Sequence, residues 1–166
     1  VDSLACLWGI KASFRRYLAM QPGAEATVGG GAAITARSEF LFPAAVGVDL
    51  LPPTGPGEMK FEGDVQFIAH GGLLNVILAD PRIQRGDDQI FLSALTGQYS
   101  GSAGSPTVVA ELVERIEADG SISYDATLAS SGVQVFGGVY PAGEPLDAVQ
   151  IVHNPLLIAT PRAKKN

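Results

Sequence analysis

The chain has 166 residues and a mass of 17.2 kDa, the size of one domain. Its hydrophobic content of 46% is enough to build a core and excludes a disordered chain. A net charge of −6 and a pI of 4.8 disfavour binding to a phosphate backbone, so no nucleic-acid partner is expected.

The elements follow in chain order. Leu7, Ile10, Phe14, Tyr17 and Leu18 recur at helical spacing, with Lys11, Arg15 and Arg16 on the other side. Pro22-Gly23 stops that helix. Gly9 is a poor interior helix residue, so Leu4–Trp8 is expected to be extended, with a shorter helix opening at Gly9. From about 24 to 60 the glycine and proline clusters predict loop, apart from a short strand around Glu39–Phe42. Phe61, Gly63, Val65, Phe67 and Ala69 then alternate with Glu62, Asp64, Gln66 and Ile68, which is a strand with one polar face. Gly71-Gly72 breaks it. Leu73–Ala79 is predicted to be the return strand, ended by Asp80-Pro81. Gln89–Leu95 and Thr107–Glu117 are further strands, and Asp119-Gly120 is a hairpin turn leading into Ile122–Leu128. Val133–Phe136 reads as a short extended piece. Leu146–His153 is either a short helix or a strand.

The expected fold is mainly β, with antiparallel, sandwich-like sheets and a short N-terminal α-helix. Residues 1–160 are expected to form a single domain and 161–166 a basic tail. A chain that opens at Val1 reads as a fragment or a mature form. No apolar run approaches the ~18 residues of a membrane span.

Counting limits the chemistry. A single cysteine, Cys6, makes neither an internal disulfide nor a zinc cluster, and reads as a buried apolar residue. Two histidines, His70 and His153, are too few for a metal site built on imidazoles. No nucleophile elbow is present, because the spacing in Gly101-Ser102-Ala103-Gly104-Ser105 is wrong for one. If the first helix forms, Ser13 and Tyr17 lie one turn apart on one face. A phenol at the end of an amphipathic helix is ordinarily a boundary residue, with its ring buried and its hydroxyl wet. A histidine at a strand end before two glycines is ordinarily a solvated turn residue.

The segment Leu7-Trp8-Gly9-Ile10-Lys11-x-Ser13-Phe14-Arg15-x-Tyr17 resembles the opening of the HtaA domain, a haem-binding module of actinobacteria that is secreted or held at the cell surface. Phe61-x-Gly63-x-Val65-x-Phe67-x-x-His70-x-Gly72-x-Leu74, followed by Asp80-Pro81-x-Ile83, is similar to that family's central strand and turn. Phe136-Gly137-Gly138-x-Tyr140-x-Ala142-Gly143-x-x-Leu146-Asp147 is similar to its closing motif. The likeness runs from about residue 4 to about residue 150.

The resemblance implies a tyrosine on the first helix as axial ligand to haem iron, here Tyr17. It also implies a serine one turn before it, here Ser13, and a histidine close to the tyrosine, here His70. The implied cofactor is ferric haem b. Haem-donor proteins such as haemoglobin and other haem-relay proteins are the implied partners, and the sequence leaves open whether the chain forms a homodimer. The implied location is extracellular or cell-envelope associated, and the implied role is capture and relay of haem for iron uptake rather than catalysis. Phenolate is a hard anionic donor that favours ferric iron. Free tyrosine ionises near pH ~10, so the metal and a hydrogen bond from His70 would both have to favour the anion. Phe14, Leu18, Leu73 and Leu74, with Val76 and Ile77, are candidates to flank the flat apolar ring, and are equally good as plain core. Two other readings compete: a cofactor-free β-rich surface or adhesion domain, and a catalase-like haem enzyme. The small size of the chain weighs against the latter.

Overall fold

A computed structural model describes residues 4–45, 48–51, 55–97 and 105–153. The expected tail at 161–166 lies outside the described residues. The elements are β1 (Leu4–Trp8), α1 (Ala12–Ala19), β2 (Glu25–Gly29), β3 (Ala33–Ile34), β4 (Phe40–Pro43), β5 (Gly57–Lys60), β6 (Asp64–Ala69), β7 (Leu74–Arg85), β8 (Ile90–Thr96), β9 (Thr107–Ile116), β10 (Ile122–Leu128) and β11 (Pro145–His153). Short 3-10 turns cover His70–Gly72 and Ser130–Phe136.

All the strands belong to one antiparallel sheet in the order β2-β6-β7-β8-β9-β10-β11-β1-β4-β3, with β5 paired to the far end of β7. The fold is therefore mainly β, as expected. The sheet curls until it is nearly closed, so that its walls face one another across a single core, as two sandwich layers would. The two chain ends meet in the middle of the order, where Cys6 of β1 sits opposite Ile151 of β11 and Phe42 of β4. The alternation read in β6 is realised: Val65, Phe67 and Ala69 are buried. Trp8, Phe40, Phe42, Phe61, Phe67, Tyr124 and Phe136 fill the interior. Cys6 is fully buried, and burial pushes its thiol pKa up to about 12.

Several sequence expectations need correction. The stretch 24–60 is not all loop apart from β4, since β2, β3 and β5 lie in it. β2 is an edge strand, paired only with β6 and largely solvent-facing, so it carries no apolar alternation to reveal it. The return strand does not end at Asp80-Pro81. β7 runs on to Arg85, and Pro81 sits where its register with β8 shifts between Ala79 and Arg82. A bulge is where a sheet tolerates a proline. Asp80 takes φ 49, and its carboxylate accepts the Gly63 amide at 3.1 Å. Val133–Phe136 is part of a 3-10 turn that ends at Gly137 with φ 71. Leu146–His153 is strand, and the helix opens at Ala12 rather than Gly9.

Candidate functional site

The site starts from the way α1 is held. The residue before it, Lys11, is extended and offers no side-chain cap. The cap comes instead from β11, where the Asp147 carboxylate accepts the Ala12 amide at 2.9 Å. Arg15, one turn in, donates to the same carboxylate at 2.7 Å and to the Gly9 carbonyl at 2.6 Å. The Trp8 indole N–H donates to the Asp147 carbonyl at 2.8 Å. Between these contacts Ile10 is fully buried and holds φ 68, a rare conformation for a β-branched residue. That strain is sustained because the Asp147 amide donates to the Ile10 carbonyl at 2.9 Å.

So anchored, α1 buries Phe14 and Leu18. Phe14 meets the rings of Phe67, Phe136 and Tyr140 edge-on, with centroids 5.2, 5.6 and 6.4 Å away. Helical periodicity then turns Ser13, Arg16, Tyr17 and Met20 to solvent, and Tyr17 is 45% exposed. The phenol expected at a boundary with its ring buried is instead about half exposed as a whole.

The second element comes from the end of β6. Ala69 is the last buried position, and His70 swings out of the strand with φ 55 into the turn made by Gly71 (φ 66) and Gly72 (φ 96). A left-handed step at three consecutive residues is why two of them are glycine. This bend carries the imidazole to α1. The Tyr17 Oη and His70 Nε2 lie 2.7 Å apart, a short hydrogen bond between exposed side chains. Their ring centroids are 6.0 Å apart. Both members are polar and wet, so the bond contributes little to folding, and its geometry calls for another explanation.

Ser13, one turn before Tyr17, is exposed and lies near the Tyr140 phenol. Burial pushes the Tyr140 pKa above the ordinary tyrosine value, against the pull of the Lys11 ammonium, which sits 5.2 Å over its ring. Tyr140 thus joins the face that carries Ser13 and Tyr17. The closing motif contained it, but nothing in the residue spacing gave it a role.

The candidate apolar residues separate. Phe14 and Leu18 are core, Val76 and Ile77 are buried, and Leu74 is half-buried. Leu73 is 91% exposed, directly after the His70 turn. Met20 on the Tyr17 face and Val139 next to Tyr140 are also exposed. Leu18 additionally lines an open cavity of about 210 Å³ with Arg15, Ala24, Ile34, Phe40 and Phe67, without Tyr17 or His70. His153 ends β11 opposite Leu4. Among the described residues no three His, Cys, Asp or Glu side chains cluster as a metal site, and no helix is long and apolar enough to cross a membrane. The surface therefore presents one phenol oxygen, a hydrogen-bonded imidazole beside it, and an exposed leucine at the turn.

The chain was compared with known proteins. The sequence model of the HtaA family (Htaa) matches residues 3–152. The C-terminal domain of HtaA from Corynebacterium glutamicum superposes with a TM-score of 0.71 at 26% identity, covering 91% of this chain and 95% of that one. The N-terminal domain of the same protein gives 0.70 at 22%, covering 90% and 95%. The heme-binding protein HtaB from Corynebacterium glutamicum gives 0.65 at 17%, covering 93% and 96%. No curated protein matches the chain. A family match over nearly the whole described fold, with the same architecture in the solved domains, places this chain in the HtaA family.

Proposed function

We propose that this domain binds haem on the face formed by Tyr17, His70 and Leu73, with the Tyr17 oxygen as the one protein ligand to ferric iron. The observation that carries the reading is the 2.7 Å contact between Tyr17 Oη and His70 Nε2 on an otherwise solvated surface. A hydrogen bond donated to the phenol oxygen would orient and stabilise it as an oxygen ligand to a ferric centre. Membership of the HtaA family and the likeness to HtaB support the same ligand. The residues suit an iron porphyrin: a hard oxygen donor for the metal, a hydrogen-bond partner for that donor, and exposed leucine and methionine for the ring.

Haem is cargo in this reading. The exposed position of Tyr17 makes the site reachable by a partner, which suits capture from a haem-donor protein such as haemoglobin and relay to a further haem-binding protein during iron uptake. The location is extracellular or at the cell envelope. A second copy of the chain is a further partner in this reading: a variant of the Corynebacterium glutamicum HtaA C-terminal domain was solved as a domain-swapped dimer. The role is binding rather than catalysis.

The test is a haemin titration followed by absorption. The wild-type domain should give a saturable Soret shift and a phenolate-to-iron charge-transfer band. Tyr17→Ala should lose that band and most of the binding. A wild-type spectrum in the variant would refute the assignment.

A further inference from the structure

We infer that Arg16 is a recognition residue for a carboxylate side chain of the bound porphyrin. The inference rests on the haem-binding reading above and adds to it the part of the ligand that is not iron or ring. Three observations converge. The first is position: Ser13, Arg16, Tyr17 and Met20 follow i, i+3, i+4, i+7 spacing and form the exposed stripe of α1. Arg16 is therefore next to the iron-ligand candidate on the solvent side of the helix. The second is availability. Lys11, Arg15, Lys60, Arg82, Arg85 and Arg115 are each in an ion pair. Among the described lysines and arginines only Arg16 and Arg37 make no ion pair, and Arg37 lies in the turn between β3 and β4. The third is the field. A chain of net charge −6 repels a dicarboxylate, so an anionic ligand needs a local cation where it docks.

A basic residue in the last turn of a helix is also favoured by the helix dipole. That accounts for a positive charge there and predicts a role in stability alone. An exposed guanidinium one residue from Tyr17 and without a carboxylate partner has a second use, because its planar fork binds a carboxylate through two parallel hydrogen bonds.

The experiment compares haemin with haemin dimethyl ester, in which both carboxylates are capped, on wild type, Arg16→Ala, Arg16→Lys and Arg37→Ala. The wild type should bind haemin more tightly than the ester. Arg16→Ala should weaken haemin by roughly three- to tenfold and leave the ester unchanged, so that the preference collapses. Arg16→Lys should restore part of the preference, Arg37→Ala should leave it intact, and raised salt should erode it. Equal weakening of both ligands by Arg16→Ala, or of neither, overturns the role of Arg16 while leaving haem binding through Tyr17 standing. Loss of both ligands in the wild type would overturn the haem reading itself, and this inference with it. A fall in melting temperature on Arg16→Ala with an unchanged preference would assign Arg16 to the helix dipole alone.

Discussion

Asp147 and Arg15, 132 residues apart in sequence, close a 2.7 Å ion pair that ties the last strand to the helix bearing Tyr17. The same carboxylate caps the Ala12 amide, a task that Lys11 cannot perform. Gly9 belongs to this arrangement. A Cβ at that position would stand 2.4 Å from Arg15 Nη1 and 2.5 Å from Asp147 Oδ2, so any side chain there must push the pair apart. The orientation of the candidate ligand thus depends on the far end of the chain.

Removing the carboxylate should show this. Asp147→Ala loses a helix cap and a partly exposed ion pair, together about 1–2 kcal/mol in urea unfolding. Gly9→Ala should be destabilising in the wild type and less so in the Asp147→Ala background. A coupling of about 0.5 kcal/mol or more in the double-mutant cycle is expected. Additive effects would mean that Gly9 is not required by the ion pair.

The buried acids set the alkaline limit of the fold. Tyr124 is fully buried and its hydroxyl has no hydrogen-bond partner; burial, and then the charge of Glu114, push its pKa up to about 12. Cys6 is raised to about 12 by burial as well. A group whose pKa is raised in the folded state holds its proton there while the unfolded chain releases it. The contribution is intact below the ordinary values of 9.0 and 10.0 and is lost as pH rises toward 12. The melting temperature should therefore fall across pH 9–12. Tyr124→Phe should flatten part of that fall and, by removing an unpaired buried hydroxyl, leave neutral-pH stability unchanged or raise it by up to about 1 kcal/mol. A clear loss of stability at pH 7 would reveal a partner for that hydroxyl.

Residues that answer to period or to counting were readable from the sequence. The alternation in Phe61–Ala69 placed Val65, Phe67 and Ala69 inside, and the single Cys6 was rightly taken as an apolar core residue. Gly9 warned that Leu4–Trp8 is extended. What escaped depends on contacts across the chain. β2 has no apolar rhythm because it faces water at a sheet edge. β7 continues through Asp80-Pro81 because Gly63 and Phe61 bond to that bulge, which local turn chemistry cannot reveal. At the site, motif resemblance named Tyr17 and His70, and the fold brings them within 2.7 Å. The flanking apolar set fared differently: proximity in sequence to Tyr17 and His70 could not separate Phe14 and Leu18, which are packed inward, from Leu73, which stands free.

Replacing His70 should weaken haem binding by roughly 10–100-fold, the usual effect of losing a group that orients a metal ligand. The residue holds φ 55, a left-handed conformation that costs an L residue roughly 1–2 kcal/mol and that Ala enters less readily than His, so Ala there also perturbs the backbone. His70→Asn tolerates the left-handed conformation but is too short to reach Tyr17, and so isolates the hydrogen bond. Both variants should retain the charge-transfer band at saturating haemin. A six-coordinate low-spin wild-type spectrum that is lost in His70→Asn would instead make His70 a second iron ligand.

Release should be controlled by the charge on iron. A phenolate offsets part of the charge of a ferric centre and is a poor match for the softer ferrous ion. With Tyr17 as the proposed ligand, reduction would weaken the one bond it supplies, whereas contacts of Leu73 and Met20 with an apolar ring would be indifferent to oxidation state. Transfer from the loaded domain to excess apomyoglobin, followed by absorbance, should be faster with dithionite than without it. Tyr17→Ala, loaded with whatever haemin it retains, should transfer at nearly the same rate in both states. If the reduced wild-type domain gives up its ligand no faster than the ferric form, the phenolate bond does not set the rate and handover must rest on contact with the acceptor.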